Sequence, residues 1–171
     1  MMISDAYLLD TNIASIAWNK AHSAYPIIRQ KLDRLPRDWL LISCVTNAEI
    51  EFGLKSATNI DEVKQQEVRD NMSSYLPLRV DHHTAEEYGW IRANLFKKYW
   101  QPYHSKNTKY IEDLVDEVTG KSLGIQENDL WIVSVAVQYH TIFVTGDKAG
   151  GMKRVVEAAL YQARTEYWQI N

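Results

Sequence analysis

Cysteine is almost absent from this chain of 171 residues. Cys44 stands alone, which excludes an intramolecular disulfide framework and points to a reducing compartment. Because it lies within an apolar run, Cys44 reads as a small buried hydrophobe and not as a nucleophile. Long apolar runs are also missing. None could cross a bilayer, and no basic stretch followed by a long apolar one opens the chain, so a cytoplasmic protein without membrane association is expected. There is no glycine-rich phosphate loop: Gly146, Gly150 and Gly151 fit neither the P-loop nor the dinucleotide spacing. No Gly-x-Ser-x-Gly elbow is present. The histidines, His22, His82, His83, His104 and His140, lack metal-ligand spacing, and His82 and His83 would point in different directions on a helix. Internal repeats and low-complexity stretches are absent too.

What is present is an ordinary globular composition, 46% apolar and 24% charged, in a length that suits one domain with a real core. The formal charge is -3, from 19 basic and 22 acidic residues. Setting aside four acidic residues singled out below leaves 19 against 18. The remaining surface is near neutral and does not oppose a polyanionic partner.

Short apolar runs alternate with helical patterns. Residues 6 to 9 predict a buried strand ending at Asp10, and Asp10, Thr11 and Asn12 cap a helix beginning at Ile13. A helix is expected from Ala24 to Leu35, with Ile27, Ile28, Lys31, Leu32 and Leu35 on one face, ended by Pro36. A second strand is expected from Trp39 to Val45, with Thr46 starting the next helix. Ile60 to Tyr75 predicts a polar helix, and Leu76 to Val80 a third strand whose Pro77 places it near a sheet edge or a strand start. His82 to Trp100 predicts a helix with Tyr88, Ile91, Leu95 and Tyr99 as its buried stripe. Asn128 to Tyr139 suits a strand or a buried helix. The helix is preferred, with Asn128 as its cap, because Thr141 to Thr145 makes the better strand. Glu157 to Arg164 is expected to be helical and Tyr167 to Ile170 a last strand. Such alternation predicts βα units and a mostly parallel sheet covered on both faces.

The stretch from Lys97 to Tyr110 differs in kind. Lys97, Lys98, Lys106 and Lys109 are interleaved with Tyr99, Trp100, Tyr103 and Tyr110, with no acidic residue. Such a pattern can hold single-stranded nucleic acid by phosphate pairing and base stacking, which makes Lys97, Lys98, Trp100, Lys106 and Lys109 candidate RNA contacts. A solvated helix end with its aromatics packed on the core accounts for the same residues.

Four acids carry the chemistry: Asp10 in Leu8-Leu9-Asp10-Thr11-Asn12, Glu49 after Ser43 to Ala48, Asp129 in Asn128-Asp129-Leu130, and Asp147 in Phe143-Val144-Thr145-Gly146-Asp147. Taken singly, each is a helix cap, a turn or a surface charge. In an open α/β sheet, however, carboxylates at the ends of parallel strands converge on one crevice. Four such charges cannot share a pocket unless a divalent cation neutralises them or some take up protons. Asp81 follows the third strand and could join the crevice, but capping the next helix is the simpler account.

In this order, the stretches Leu8 to Asn12, Ser43 to Gly53, Gly124 to Ala136 and Ile142 to Asp147, with a terminal strand containing Trp168, resemble PIN-domain ribonucleases. The likeness is strongest to the VapC-type toxins of toxin–antitoxin operons. Nearly the whole chain takes part. Two features depart from the family pattern: extra length between about Lys97 and Ser122, and Ile-Val-Ser-Val after Asp129 where alanines are more usual.

The resemblance implies one domain over residues 1 to 171, a three-layer α/β/α sandwich with a central, mostly parallel sheet of about five strands. It also implies Mg²⁺- or Mn²⁺-dependent cleavage of RNA phosphodiesters, an antitoxin partner with a helix in a groove near the active site, and a homodimer. Trp18, Trp90, Tyr99 and Trp100 are candidates for that groove. Oxygen-only ligands suit hard cations. Asp10 and Asp129 are the expected direct ligands, with Glu49 and Asp147 binding through water or completing a second site. Any of the four, Glu49 foremost, could take the proton of the attacking water. Asn12, Thr46 and Thr145 could orient these carboxylates or the phosphate, or simply cap helix ends. Two other readings stand beside this one: a non-catalytic RNA- or protein-binding module of the same fold, and a DNA-directed nuclease.

Overall fold

The computed structural model describes residues 6–100, 110–160 and 162–170. The short apolar runs become central strands. β1 (Tyr7–Leu9) lies between β2 (Leu40–Ser43) and β4 (Ile142–Thr145), with β3 (Leu76–Leu78) and β5 (Arg164–Tyr167) on the outside. The order is β3-β2-β1-β4-β5 and every pairing is parallel. Parallel neighbours need a crossover between them, and the crossovers here are helical, covering both faces.

Leu8 stands opposite Leu41 and Phe143, and Leu9 opposite Ile42 and Val144. Side chains alternate along a strand, so the first set packs one layer and the second the other. Leu8, Leu41 and Phe143 meet α5 (His82–Tyr99), α6 (Glu127–Gln138) and α7 (Gly150–Ala158). Leu9, Ile42 and Val144 meet α1 (Thr11–Trp18), α2 (Tyr25–Leu32) and the inner sides of α3 (Cys44–Ser56) and α4 (Glu62–Ser73). The expected three-layer α/β/α sandwich is the architecture found, with its sheet wholly parallel.

Several boundaries differ from the expectation. α3 begins at Cys44, not Thr46, because the Ser43 hydroxyl caps it by accepting from the Thr46 N–H at 2.9 Å. Cys44 is therefore exposed on a first helical turn and is not the buried hydrophobe expected. α2 stops at Leu32 and buries Ile28 and Leu32, whereas Ile27 is exposed. α6 starts from Gln126 with no side-chain cap, leaving Asn128 free for another task. Its ambiguous pattern has a plain cause: Leu130 and every residue from Ile132 to Val137 are buried, so no polar face marks a helical period.

The final crossover is placed earlier than expected. α7 spans Gly150–Ala158, ahead of the helix expected at Glu157 to Arg164, and β5 is Arg164–Tyr167, leaving Trp168 just past the strand. Two glycines hide the helix start. A Cβ on Gly151 would lie 1.8 Å from the Gly124 carbonyl oxygen, so α7 presses directly on the segment that leads into α6. Other expectations stand. Pro77 lies on edge strand β3, and Asp81 caps α5 in a capping box with Thr84. The His82 and His83 rings do not diverge as expected; their centroids are 3.9 Å apart. Part of the unusual stretch before α6 is well anchored: Ile111 and Leu114 are fully buried against the α5 layer.

Candidate active site

The chain runs from β1 to β2 and β3 on one side, then returns to β4 on the other. The carboxyl ends of β1 and β4 thus form a switch point, where loops diverge and leave a crevice. Asp10 follows β1 directly. Its backbone N–H reaches the Val144 carbonyl, and its side chain caps α1 by accepting from the Thr11 N–H at 2.7 Å. Asp10 is almost wholly buried. Its other oxygen accepts from the Thr145 hydroxyl at 2.7 Å, and that hydroxyl accepts from the Asp147 N–H at 3.1 Å. One threonine at the end of β4 therefore joins the Asp10 carboxylate to the backbone of Asp147. Asn12 completes the link between the two loops, accepting from the Gly146 N–H at 3.3 Å.

Glu49 approaches from the second turn of α3. One of its oxygens accepts from the Thr11 hydroxyl, the other from the Asn128 amide at 2.8 Å. Thr46 lies beneath, fully buried, its hydroxyl 3.4 Å from that of Thr11 and 3.0 Å from that of Ser43. Asn128 is the neighbour of Asp129 in the first turn of α6, so the contact fastens that turn to α3. Thr11, Ser43 and Asn128 are not among the sequence candidates. All three lie inside the motif stretches, and the ordinary roles of such residues at helix starts disguise them.

The four acids feel one another. Burial raises the Asp10 carboxyl to about 6, offset in part by the bonds from Thr145 and Thr11, with the charges of Asp147 and Glu49 pushing further upward. Asp129 rises to about 7, first through burial and next through the charge of Asp10, with Glu49 and Asp147 adding to it. Asp147 itself is exposed at the mouth. A set of oxygens that repel one another, held by hydroxyl and amide donors, matches in kind the preference of a hard divalent cation. Among the described residues, no three acidic, histidine or cysteine side chains stand close enough to form a finished metal cage. The donor set fits such an ion in its chemistry, and closing around one would require side-chain movement.

The basic-aromatic residues lie elsewhere. Lys97, Lys98 and Trp100 belong to the last turn and cap of α5, in the layer across the sheet from α1. Lys98 pairs with Glu157 at 3.2 Å, and the Lys97 ammonium lies 5.8 Å from the Trp90 ring centre. Lys106 and Lys109 fall outside the described residues. The four aromatics expected to share a groove are divided by the sheet. Trp18 packs in the α1 layer, while Trp90, Tyr99 and Trp100 belong to α5. Beside Glu49 and Thr11 there is instead a mostly apolar cleft of about 250 Å³, which Ser15, Trp18, Ile50 and Val68 also line. Past Trp18 a wider cleft of about 870 Å³ continues along α4.

No curated protein matches this sequence. Among solved structures, the chain is similar to VapBC2 from Rickettsia felis bound to a promoter DNA fragment, with 23% identity and a TM-score of 0.65 over 96% of this chain and 99% of that one. DNA-bound VapBC from Salmonella typhimurium gives 21% identity and a TM-score of 0.65, covering 96% and 98%. FitAcB from Neisseria gonorrhoeae gives 21% and 0.58, covering 88% and 93%. Likeness at these identities speaks for a shared fold. The family match is direct: residues 7–157 match the PIN domain, a span containing all four acids and every strand but the last. This chain belongs to the PIN domain family.

Proposed function

We propose that this chain is a Mg²⁺- or Mn²⁺-dependent endoribonuclease and the toxin of a toxin–antitoxin pair. PIN nucleases generally use divalent metal ions. The observation that carries the reading is the gathering of Asp10, Glu49, Asp129 and Asp147 from four separate elements into one mutually repelling, hydroxyl-braced crevice. Asp10 and Asp129 would hold the metal, with Glu49 and Asp147 beside them. When bound, such an ion orients a phosphodiester, neutralises developing charge and makes its water more acidic. The chain's own residues supply the rest. Thr145 keeps one Asp10 oxygen turned toward β4, Asn128 and Thr11 hold both Glu49 oxygens, and Glu49 would take a proton from an attacking water. Lys97, Lys98, Trp100, Lys106 and Lys109 are retained in this reading as contacts to flanking RNA.

An antitoxin helix would lie in the clefts between α1, α3 and α4, beside Glu49, and block access to the crevice.

The test is RNA cleavage by the purified chain in Mn²⁺ or Mg²⁺. Asp10→Asn and Asp129→Asn should each lower the rate by about 100-fold or more, since asparagine keeps the shape and removes the charge. Unchanged rates would remove the crevice as the active site. A cognate antitoxin should suppress cleavage by the native chain and fail against Gly53→Trp, which fills the groove where a Cβ meets nothing within 4 Å. Suppression that survives this change would place the antitoxin elsewhere. Cleavage of single-stranded DNA at an equal rate would favour the DNA-directed reading.

A further inference from the structure

α6 delivers Asp129 to the crevice, and its first turn is gripped from the opposite side by residues outside the crevice. At about 3.6 residues per turn, Glu127 and Asp129 point roughly 200° apart, so Glu127 faces α5 while Asp129 faces Asp10 and Glu49. Trp131 follows Glu127 by four positions and shares its face. Tyr88 of α5 meets both. Its ring stacks on the Trp131 indole with centroids 4.1 Å apart and planes 13° from parallel, and its hydroxyl donates to a Glu127 oxygen. Arg92, one turn further along α5, donates to the same hydroxyl and lies 3.6 Å from the same carboxylate.

This grip decides something that the surrounding core does not. Apolar packing is non-directional, so it holds a buried helix in place better than it sets the helix's rotation. A hydrogen bond and a stacked ring on successive turns are directional. At a radius of about 5 Å, a turn of about 10° about the helix axis carries a side-chain end through about 1 Å, enough to misplace a ligand or a catalytic group. The position along the axis is fixed separately. Gln126 gives α6 no side-chain cap, and the Glu112 carboxylate supplies one from outside, accepting from the Glu127 N–H at 3.2 Å. Glu112 lies in the short turn Ile111–Asp113, beside the fully buried Ile111 and Leu114, so the segment ahead of α6 has a footing in the core.

We infer that Tyr88 is a positioning residue for Asp129: held by Glu127 and Trp131 on successive turns of α6, it fixes the rotation of that helix and so the aim of the carboxylate. The importance of that aim rests on the proposed reading of Asp129 as a metal ligand. The far end of the same helix pair supplies a contrast. Gln138 closes α6, and its amide joins Asp81 at 2.8 Å and the Thr84 hydroxyl at the start of α5, roughly 16 Å along the helix from Glu127. That contact ties the same two helices together without touching the turn that carries Asp129.

Mn²⁺ binding to the full chain, read from the paramagnetic resonance of the free ion, tests this without recourse to cleavage. Tyr88→Leu removes the stack and the hydroxyl together, and should raise the Mn²⁺ dissociation constant by about 10-fold or more, as loss of a group that orients a ligand does. Glu127→Ala should do the same, whereas Glu127→Gln, which keeps an oxygen for the Tyr88 hydroxyl, should bind close to the native chain. Both remove the charge, so the difference between them reads the bond. Gln138→Ala should lower the melting temperature and leave the Mn²⁺ constant unchanged. Circular dichroism checks the fold; if leucine disturbs it, the Glu127 pair carries the test, and equal constants for alanine and glutamine overturn the inference. So does a folded Tyr88→Leu chain that binds Mn²⁺ as tightly as the native one, or a Gln138→Ala chain that loses as much. If the native chain binds no Mn²⁺, the reading of Asp129 as a ligand falls, and the crystal structure of metal-free Tyr88→Leu then decides. An Asp129 carboxylate displaced by about 1 Å or more sustains the positioning role, and one left in its native place overturns it.

Discussion

Thr145 shows how much one hydroxyl can do. It donates to the buried Asp10 carboxylate and accepts from the Asp147 N–H, so Thr145→Val would strip a partner from two polar groups at once. Leaving such groups unsatisfied costs about 1–3 kcal/mol, which chemical denaturation would read. The same bond lowers the Asp10 carboxyl against the upward push of burial, so Thr145→Val should also demand more Mn²⁺ for half-maximal cleavage. A variant as stable and as metal-responsive as the native chain would reduce Thr145 to a strand residue with an idle hydroxyl. At this scale much of the site is legible in the sequence. The four acids stand at strand ends and helix starts, where their chemistry can be named from residue type. The partners of Glu49 are different. That Thr11 and Asn128 hold its two oxygens depends on contacts across 38 and 79 positions, which no local pattern encodes.

At the scale of elements, two glycines make opposite demands. Gly151 allows α7 to touch the Gly124 carbonyl, and any Cβ there would collide with backbone that cannot swing aside. Gly151→Ala should cost about 1–3 kcal/mol of stability through overpacking, and should lower cleavage by shifting the lead into α6, which carries Asp129. Gly53 lies inside α3 with open space around its missing Cβ. Gly53→Ala should therefore stabilise the chain by about 0.5–1 kcal/mol, as alanine does in a helix interior. Equal effects at the two positions in urea melts would contradict this assignment of crowded and open ground. The same contact explains why the start of α7 is hard to read. Two adjacent glycines look like a loop by propensity, and only the neighbour they must admit shows why they sit in a helix. Burial likewise removes the polar face of α6, and Cys44 is displaced from the core because the Ser43 cap turns the chain two residues before the apolar run ends at Val45.

For the whole molecule, the crevice couples folding to pH, and the proposed metal would add a second coupling. Asp10 and Asp129 titrate higher in the folded chain, at about 6 and 7, than unfolded carboxyls near 4. The folded state therefore holds more protons between those values. The stability they contribute is fully present at low pH and is lost as pH rises through about 6 and 7. Glu51, Asp61, Asp81 and Asp116 are shifted downward and act in the opposite sense, but their contribution is complete by about pH 5. Without divalent cation, the melting temperature should fall from about pH 5 to pH 8. Mn²⁺ should restore it at pH 8 and do little at pH 5, where protons already relieve the repulsion. Asp129→Asn should flatten the pH dependence and abolish the response to Mn²⁺. A native melting curve indifferent to both variables would argue for a binding module that uses its acids structurally. The residue types, the apolar runs and their order along the chain determined the layered α/β fold and the edge position of β3, and marked the four acids as candidates, because side-chain chemistry and hydrophobic period act locally. Which hydroxyl meets which carboxylate, which aromatics share a face of the sheet and where α7 begins were decided by tertiary packing, because each depends on the approach of segments far apart in the chain.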